Sequence, residues 1–315
     1  MLSFLSHYKF LLKTPETMLI VITMIWGLSF LVINHIMTLS GPFCFIGIRF
    51  AIATIVSLLM SWRILSMITF MEIKAGILVG LAIGCGYSLQ AYGMQTITGS
   101  KSAFITALYV PLIPLLQWIF LGLRPSLLSC IGVTLAFSGL LLLANPSDGP
   151  LIFNQSEMAT LLSTVAISVE IILINAYANK VNTQRITIIQ LGVASLSGLI
   201  FMVLNGEHIP TFTPYLLYST IGLGMASALV QIVINWAQCS VPPARATIIY
   251  AGEPVWTGIF GHITGEYLPK HALFGGFLII LGMLVAELKL KRKINREFFK
   301  RTIKKIKIPL INNKK

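Results

Sequence analysis

Three ionisable side chains sit well inside apolar runs of this 315-residue chain: Arg49, Glu170 and Glu253. A charged group near a bilayer centre costs about 3 kcal/mol on insertion scales, so each needs a reason to be there. A carboxyl group in such a place can carry a proton or pair with the amine of a bound molecule. Glu253, directly before Pro254, is the candidate for substrate binding, and Glu170 the candidate for coupling. Arg49 has two readings: it contacts substrate, or it ties its span to carbonyls or to a carboxylate. A run of amides accompanies them. Ser227, Gln231, Asn235 and Gln238 follow at spacings of four, four and three, which puts all four on one helical face. Such a stripe either hydrogen-bonds a substrate in a mostly apolar pocket or joins packed helices. The sequence admits both.

Other chemistry is missing from the sequence. It contains no Gly-rich phosphate loop, no HExxH and no GxSxG, so it does not read as an enzyme or an ATP-driven pump. The four cysteines (Cys44, Cys85, Cys130 and Cys239) fall in apolar runs without CxxC spacing and read as small hydrophobes. No metal site and no cofactor is expected. His35 and His262 lie near the ends of runs and read as interfacial. Any work would draw on a solute gradient or a proton gradient.

The elements that carry these residues are membrane spans. The chain is 56% hydrophobic and only 10% charged, where soluble domains carry about a quarter. Ten apolar segments cover roughly 17–37, 42–62, 74–95, 101–121, 127–144, 157–178, 186–204, 214–237, 243–263 and 271–288. Runs of this length in a bilayer must be helices, because no water there satisfies the backbone. The fold class expected is all-α, with ten transmembrane helices. The apolar run at 17–37 exceeds the h-region of a signal peptide and lacks a small-residue cleavage site.

Charge orients the spans. The even-numbered loops carry Arg63, Lys74, Arg124, Lys180, Arg185 and Arg245, and the odd-numbered ones only Lys101 and Lys270. The positive-inside rule then puts both termini in the cytoplasm, in a cytoplasmic (inner) membrane. The net charge of +13 is not a nucleic-acid signal, since 12 of the 23 Lys and Arg fall between Lys289 and Lys315. Leu290, Ile294, Phe298, Phe299, Ile303 and Ile306 keep roughly helical spacing there. The tail reads as a basic amphipathic helix on anionic lipid headgroups, or as a solvated tail.

An internal repeat organises the whole. Residues 84–141 match 227–284 at a shift of 143, pairing Gln95 with Gln238, Pro111 with Pro254, Gly122 with Gly265, Gly132 with Gly275 and Gly139 with Gly282. A shift of 141 more weakly pairs Arg49 with Gln190 and Asn34 with Asn175. The divisions are a cytoplasmic segment 1–16, five-helix repeats at 17–144 and 157–288, and the tail 289–315. Five is odd, so the halves are inverted. Inverted repeats serve alternating access in transporters. The repeat also maps the amide stripe onto Gly84, Ser88, Tyr92 and Gln95, so two stripes would face one central cavity. Pro111 and Pro114 in the fourth span and Pro254 in the ninth remove backbone donors and kink their helices. Tyr109, Trp118, Tyr250 and Trp256 lie near the kinks and either stack on substrate or pack.

These residues resemble the EamA-like branch of the drug/metabolite transporter superfamily. The resemblance rests on Trp26-Gly27 with Phe30, on Arg49-Phe50, on Pro111 and Pro254, and on Gly265-Glu266 followed by Gly275 and Gly282. The first half departs from it, with Gly122-Leu123 in place of Gly-Glu. The resemblance implies two inverted repeats of five helices around a cavity lined mainly by the third, fourth, eighth and ninth. It also implies a transported metabolite, with an exported amino acid or similar amphipathic solute first. Uptake of a nucleotide-like metabolite is the runner-up, and a membrane scaffold or enzyme the reading from another class. The candidate substrate-binding residues are Ser88, Tyr92, Gln95, Tyr109, Gln231, Asn235, Gln238, Tyr250, Glu253 and Trp256. Arg49, Glu170, Pro111 and Pro254 are the candidate coupling or gating positions. The expected partners are a small-molecule substrate and the lipid bilayer, with no nucleic acid, in a monomer or homodimer.

Overall fold

The structure, a computed structural model, describes residues 14–62, 68–122, 125–143, 154–241, 246, 249–266 and 268–287. The basic tail with its expected surface helix, and Arg63, Arg124 and Arg245, lie outside the described residues. Among the described residues the protein is all-α, without a strand. The helices are α1 (Pro15–Ile36), α2 (Pro42–Ser61), α3 (Phe70–Gly93), α4 (Gly99–Thr106), α5 (Tyr109–Leu121), α6 (Leu127–Leu143), α7 (Gln155–Tyr177), α8 (Thr183–Leu204), α9 (Pro214–Ala237), α10 (Gly252–Ile263) and α11 (Lys270–Glu287). Seven stretches are long and apolar enough to cross a membrane, the fourth of them, Gly99–Ile119, being α4 and α5 together. Leu127–Leu142 and Lys270–Ala286 are shorter apolar helices. The chain is a multi-pass membrane protein.

Local sequence sets the helix ends. Thr69 with Glu72, and Asn154 with Glu157, form capping boxes that start α3 and α7. Pro42 opens α2 without a capping side chain of its own. The carboxylate of Glu207, from the α8–α9 connection, instead accepts from the amides of Phe43 and Cys44, at 3.4 and 2.8 Å. A distant acid thus satisfies free helix donors.

Glycines set the direction of packing. A Cβ on Gly132 of α6 would strike the carbonyl of Gly282 on α11, and one on Gly139 would strike that of Gly275. Gly132 is the repeat equivalent of Gly275, and Gly139 of Gly282. The contacts therefore exchange under the repeat, as a two-fold relation demands. Position rises along α6 as it falls along α11, so these equivalent helices run antiparallel. The same holds for α2 and α8, where Gly47 meets Gly198 and Gly192 meets Thr54.

Two faces follow from the contacts. At the near face, where the chain enters α1, Glu72 accepts from Asn182 N at 3.1 Å and pairs with Arg185 at 3.3 Å. At the far face, Asn34 donates to the carbonyls of Met94 and Ile97, at 3.1 and 2.9 Å. There also Thr96 bonds Ser156 at 2.6 Å, Lys101 pairs with Glu157, and Ser100 meets Glu266. The packing is not symmetric. α3 lies along α7, with Gly86 against Ile167 and Gly93 against Thr160, whereas the equivalent seam between α1 and α9 is looser.

Candidate functional site

The prolines do more than kink their helices. Pro111 has no N–H, and the fourth span breaks between Thr106 and Tyr109, where the Ala107 carbonyl takes Val110 N at 3.2 Å in a tightened turn. In the ninth span Pro254 leaves the Tyr250 carbonyl without its helical donor, and the backbone turns at Ala251 before α10 begins. Both breaks fall at the same place in their repeats. Each brings a tyrosine, Tyr109 or Tyr250, to the centre of the molecule, where they are 2% and 1% exposed.

A cavity lies between the breaks. Its centre leaves about 40 Å³ for the centre of a water-sized sphere. Trp26, Ser29, Phe30 and Ile33 of α1 form one wall, and Ile167, Glu170, Ile171 and Ile174 of α7 another. Arg49, Tyr87, Gln90, Thr106, Tyr109, Ile234, Gln238, Tyr250 and Glu253 complete it. The expected four-helix lining is thus extended by α1, α2 and α7. Tyr109 donates to Glu253 Oε2 at a long 3.5 Å, and Gln90 to Thr106 at 3.1 Å. Neither acid has an ion-pair partner among the described residues. The Gln238 carboxamide and the Tyr250 hydroxyl lie buried without a hydrogen bond of ordinary geometry. Trp26 meets Tyr250 edge to face, with ring centres 5.5 Å apart. The site combines an apolar, aromatic body with a few convergent polar groups, as small-molecule sites do.

The candidate residues divide by position. Tyr109, Gln238, Tyr250 and Glu253 line the cavity together, joined by Arg49 and Glu170. Gln231 faces inward but is engaged: it donates to Glu170 Oε1 and accepts from Gln190, both at 3.0 Å. Asn235 donates to Thr187 at 2.8 Å. Both amides join helices. Ser88 is buried off the cavity, and its hydroxyl has no partner. Tyr92 stacks on Phe43 at 6.2 Å. Gln95 is exposed in the turn after α3, because that helix stops at Gly93. Trp256 packs on Gly27 and stacks with Phe260, away from the lining. Pro111 and Pro254 stand at the breaks. Arg49 ties to neither carbonyl nor carboxylate; its Nε donates to Ser227 Oγ at 2.8 Å.

The lining residues of α1, with Tyr87, Gln90 and Thr106, were not among the candidates. Gln90 and Thr106 carry a usable signal, since each is a polar group well inside an apolar run. Tyr87 and the α1 residues differ from lipid-facing neighbours only in their helical face.

Comparison with known proteins agrees with this architecture. Over 274 residues the chain is 27% identical to an uncharacterized transporter from Archaeoglobus fulgidus, covering 86% of this chain and 85% of that one. It also shares its fold with a protein of known crystal structure at a TM-score of 0.63 and 17% identity, over 89% of this chain and 99% of that one. The profile of the EamA-like transporter family matches twice, at residues 14–145 and 155–287. With two copies filling most of its length, this chain belongs to the EamA-like transporter family.

Proposed function

We propose that the protein is a secondary transporter that exports a small amphipathic metabolite, an amino acid first, across the cytoplasmic membrane by alternating access. In this reading ten spans form two inverted repeats and both termini are cytoplasmic. The observation that carries it is the central cavity between the repeats, with two buried acids, Glu170 and Glu253, that have no ion-pair partner among the described residues. Glu253 takes the substrate ammonium, helped by Tyr109, while Tyr250 and Trp26 cover its apolar body. Glu170, held by Gln231, carries the coupling proton. The two proline breaks let each half change shape around a central site. The unequal α3–α7 and α1–α9 seams suit one of two exchanging conformations.

Counterflow in proteoliposomes tests the proposal. Vesicles loaded with each of the amino acids in turn should take up the same labelled compound faster than protein-free vesicles, and for at least one the uptake should saturate. No saturable exchange of any amino acid would remove the substrate class. A pH gradient with the lumen acidic and the outside basic should then drive concentrative uptake in exchange for protons leaving the vesicle, while the opposite gradient should fail to.

A further inference from the structure

Arg49 is the cation of the cavity, and no carboxylate among the described residues pairs with it directly. It is 4% exposed. Its Nε is engaged by Ser227, whereas Nη1 has no hydrogen-bond partner. The rings of Phe45, Phe50 and Tyr87 surround the guanidinium, with centres 6.0, 5.6 and 5.7 Å from its carbon. Such ring contacts offset only part of the cost of burying a cation. The rings hold the group in place and leave its charge in need of an anion.

Position says where that anion would sit. Arg49 stands between the central cavity and a second, smaller chamber at the looser α1–α9 seam, and with Trp26, Ser29 and Tyr87 it lines both. Glu170 and Glu253 line the central cavity and not the smaller chamber. Tyr87, whose ring lies 5.7 Å from the Arg49 guanidinium, lines both chambers. The fold does not require a cation in this register, because the repeat equivalent is Gln190, a neutral amide that bonds Gln231.

We infer that Arg49 is an anion subsite of the transport cavity and takes the carboxylate of a zwitterionic substrate whose ammonium lies toward Glu253. The inference rests on the transport reading above and narrows its substrate class. The guanidinium fork matches a carboxylate. A phosphomonoester brings nearly two negative charges at neutral pH, which one cation does not balance. The remaining walls are apolar or aromatic, so the rest of the solute is apolar.

Four probes with the same branched apolar body separate the ends: L-leucine, isocaproate, isoamylamine and isocaproamide. All are silent at tryptophan wavelengths, so quenching of the full-length protein's fluorescence, with Trp26 in both chambers, reports their binding. Isocaproate should bind the wild-type protein at least about tenfold more tightly than its neutral amide. Arg49→Gln should abolish that preference, while isoamylamine, which has no carboxylate, should bind at least as tightly as before; Arg49→Lys should keep part of the preference. If Arg49→Gln does not fold, the comparison of acid with amide on the wild-type protein decides, since no other Lys or Arg among the described residues lines either chamber. Equal binding of acid and amide, no saturable binding of the acid, or a preference that survives Arg49→Gln overturns the subsite. Amine binding that still depends on Glu253 would then leave the transport reading standing. Loss of all binding together with absent counterflow removes both.

Discussion

At the scale of single residues, the buried polar groups separate into those that have partners in the protein and those that do not. Gln231 and Asn235 are saturated by Glu170, Gln190 and Thr187. Arg49 Nη1 has no hydrogen-bond partner, the Gln238 carboxamide and the Tyr250 hydroxyl have none of ordinary geometry, and Glu170 and Glu253 have no counter-ion among the described residues. Leaving such groups unpaired in the interior is costly, so those of the second class that line the cavity mark the candidate ligand contacts. The division makes a prediction about Asn235. Asn235→Ala removes an interhelical bond and should cost about 1 kcal/mol of stability, seen as a lower melting temperature, while substrate affinity in the folded fraction stays at the parent value. A drop in affinity without a drop in melting temperature would return Asn235 to the cavity. The sequence shows that the amide stripe of α9 faces inward. It does not show which of those amides meet neighbouring helices, because Gln190 and Thr187 come from α8 and only packing brings them close. Gln95 fails for a different reason: two residues past the end of α3, it no longer follows the helical face on which its repeat partner lies.

At the scale of elements, the prolines and glycines account for most of what the sequence makes legible. They mark backbone geometry directly, through a lost donor or a missing Cβ, and need no knowledge of neighbours. Hence the repeat and its equivalent breaks at Pro111 and Pro254 can be read from the chain. The pairing of Gly132 with Gly282 and of Gly139 with Gly275 also follows once the repeats are set antiparallel. The part played by α1 is hidden, since Trp26, Phe30 and Ile33 look like any membrane helix until their face is known. Pro254→Ala restores a donor for the Tyr250 carbonyl and joins the ninth span into one helix. Binding of the transported solute should persist, because Tyr250 and Glu253 keep their side chains, but turnover in counterflow should fall severalfold as the hinge stiffens. Unchanged turnover would show that the break is a packing feature and not a moving part.

At the scale of the whole molecule, the far face is laced by polar ties between the first half and α7, and the seam between α1 and α9 is looser. An inverted pair of repeats makes the exchange of these two arrangements the simplest route to alternating access. Thr96 and Ser156, whose hydroxyls lie 2.6 Å apart, test that directly. In a protein whose native cysteines are replaced by alanine, Thr96→Cys with Ser156→Cys should arrest counterflow on oxidation and recover it on reduction. Full activity of the oxidised pair would mean that this seam never opens. The central claim, however, is that solute crosses through the cavity by way of Glu253, whose repeat equivalent is Val110, so the frame itself does not call for an acid there. The most direct measurement is counterflow of the transported amino acid by wild-type and Glu253→Gln protein in matched proteoliposomes, with substrate affinity measured on the same preparations. The account predicts that the variant folds like the parent but binds about 1.5–3 kcal/mol more weakly, the range for a charged hydrogen bond, with exchange reduced to match. A Glu253→Gln protein that binds and exchanges the solute like the parent would contradict it.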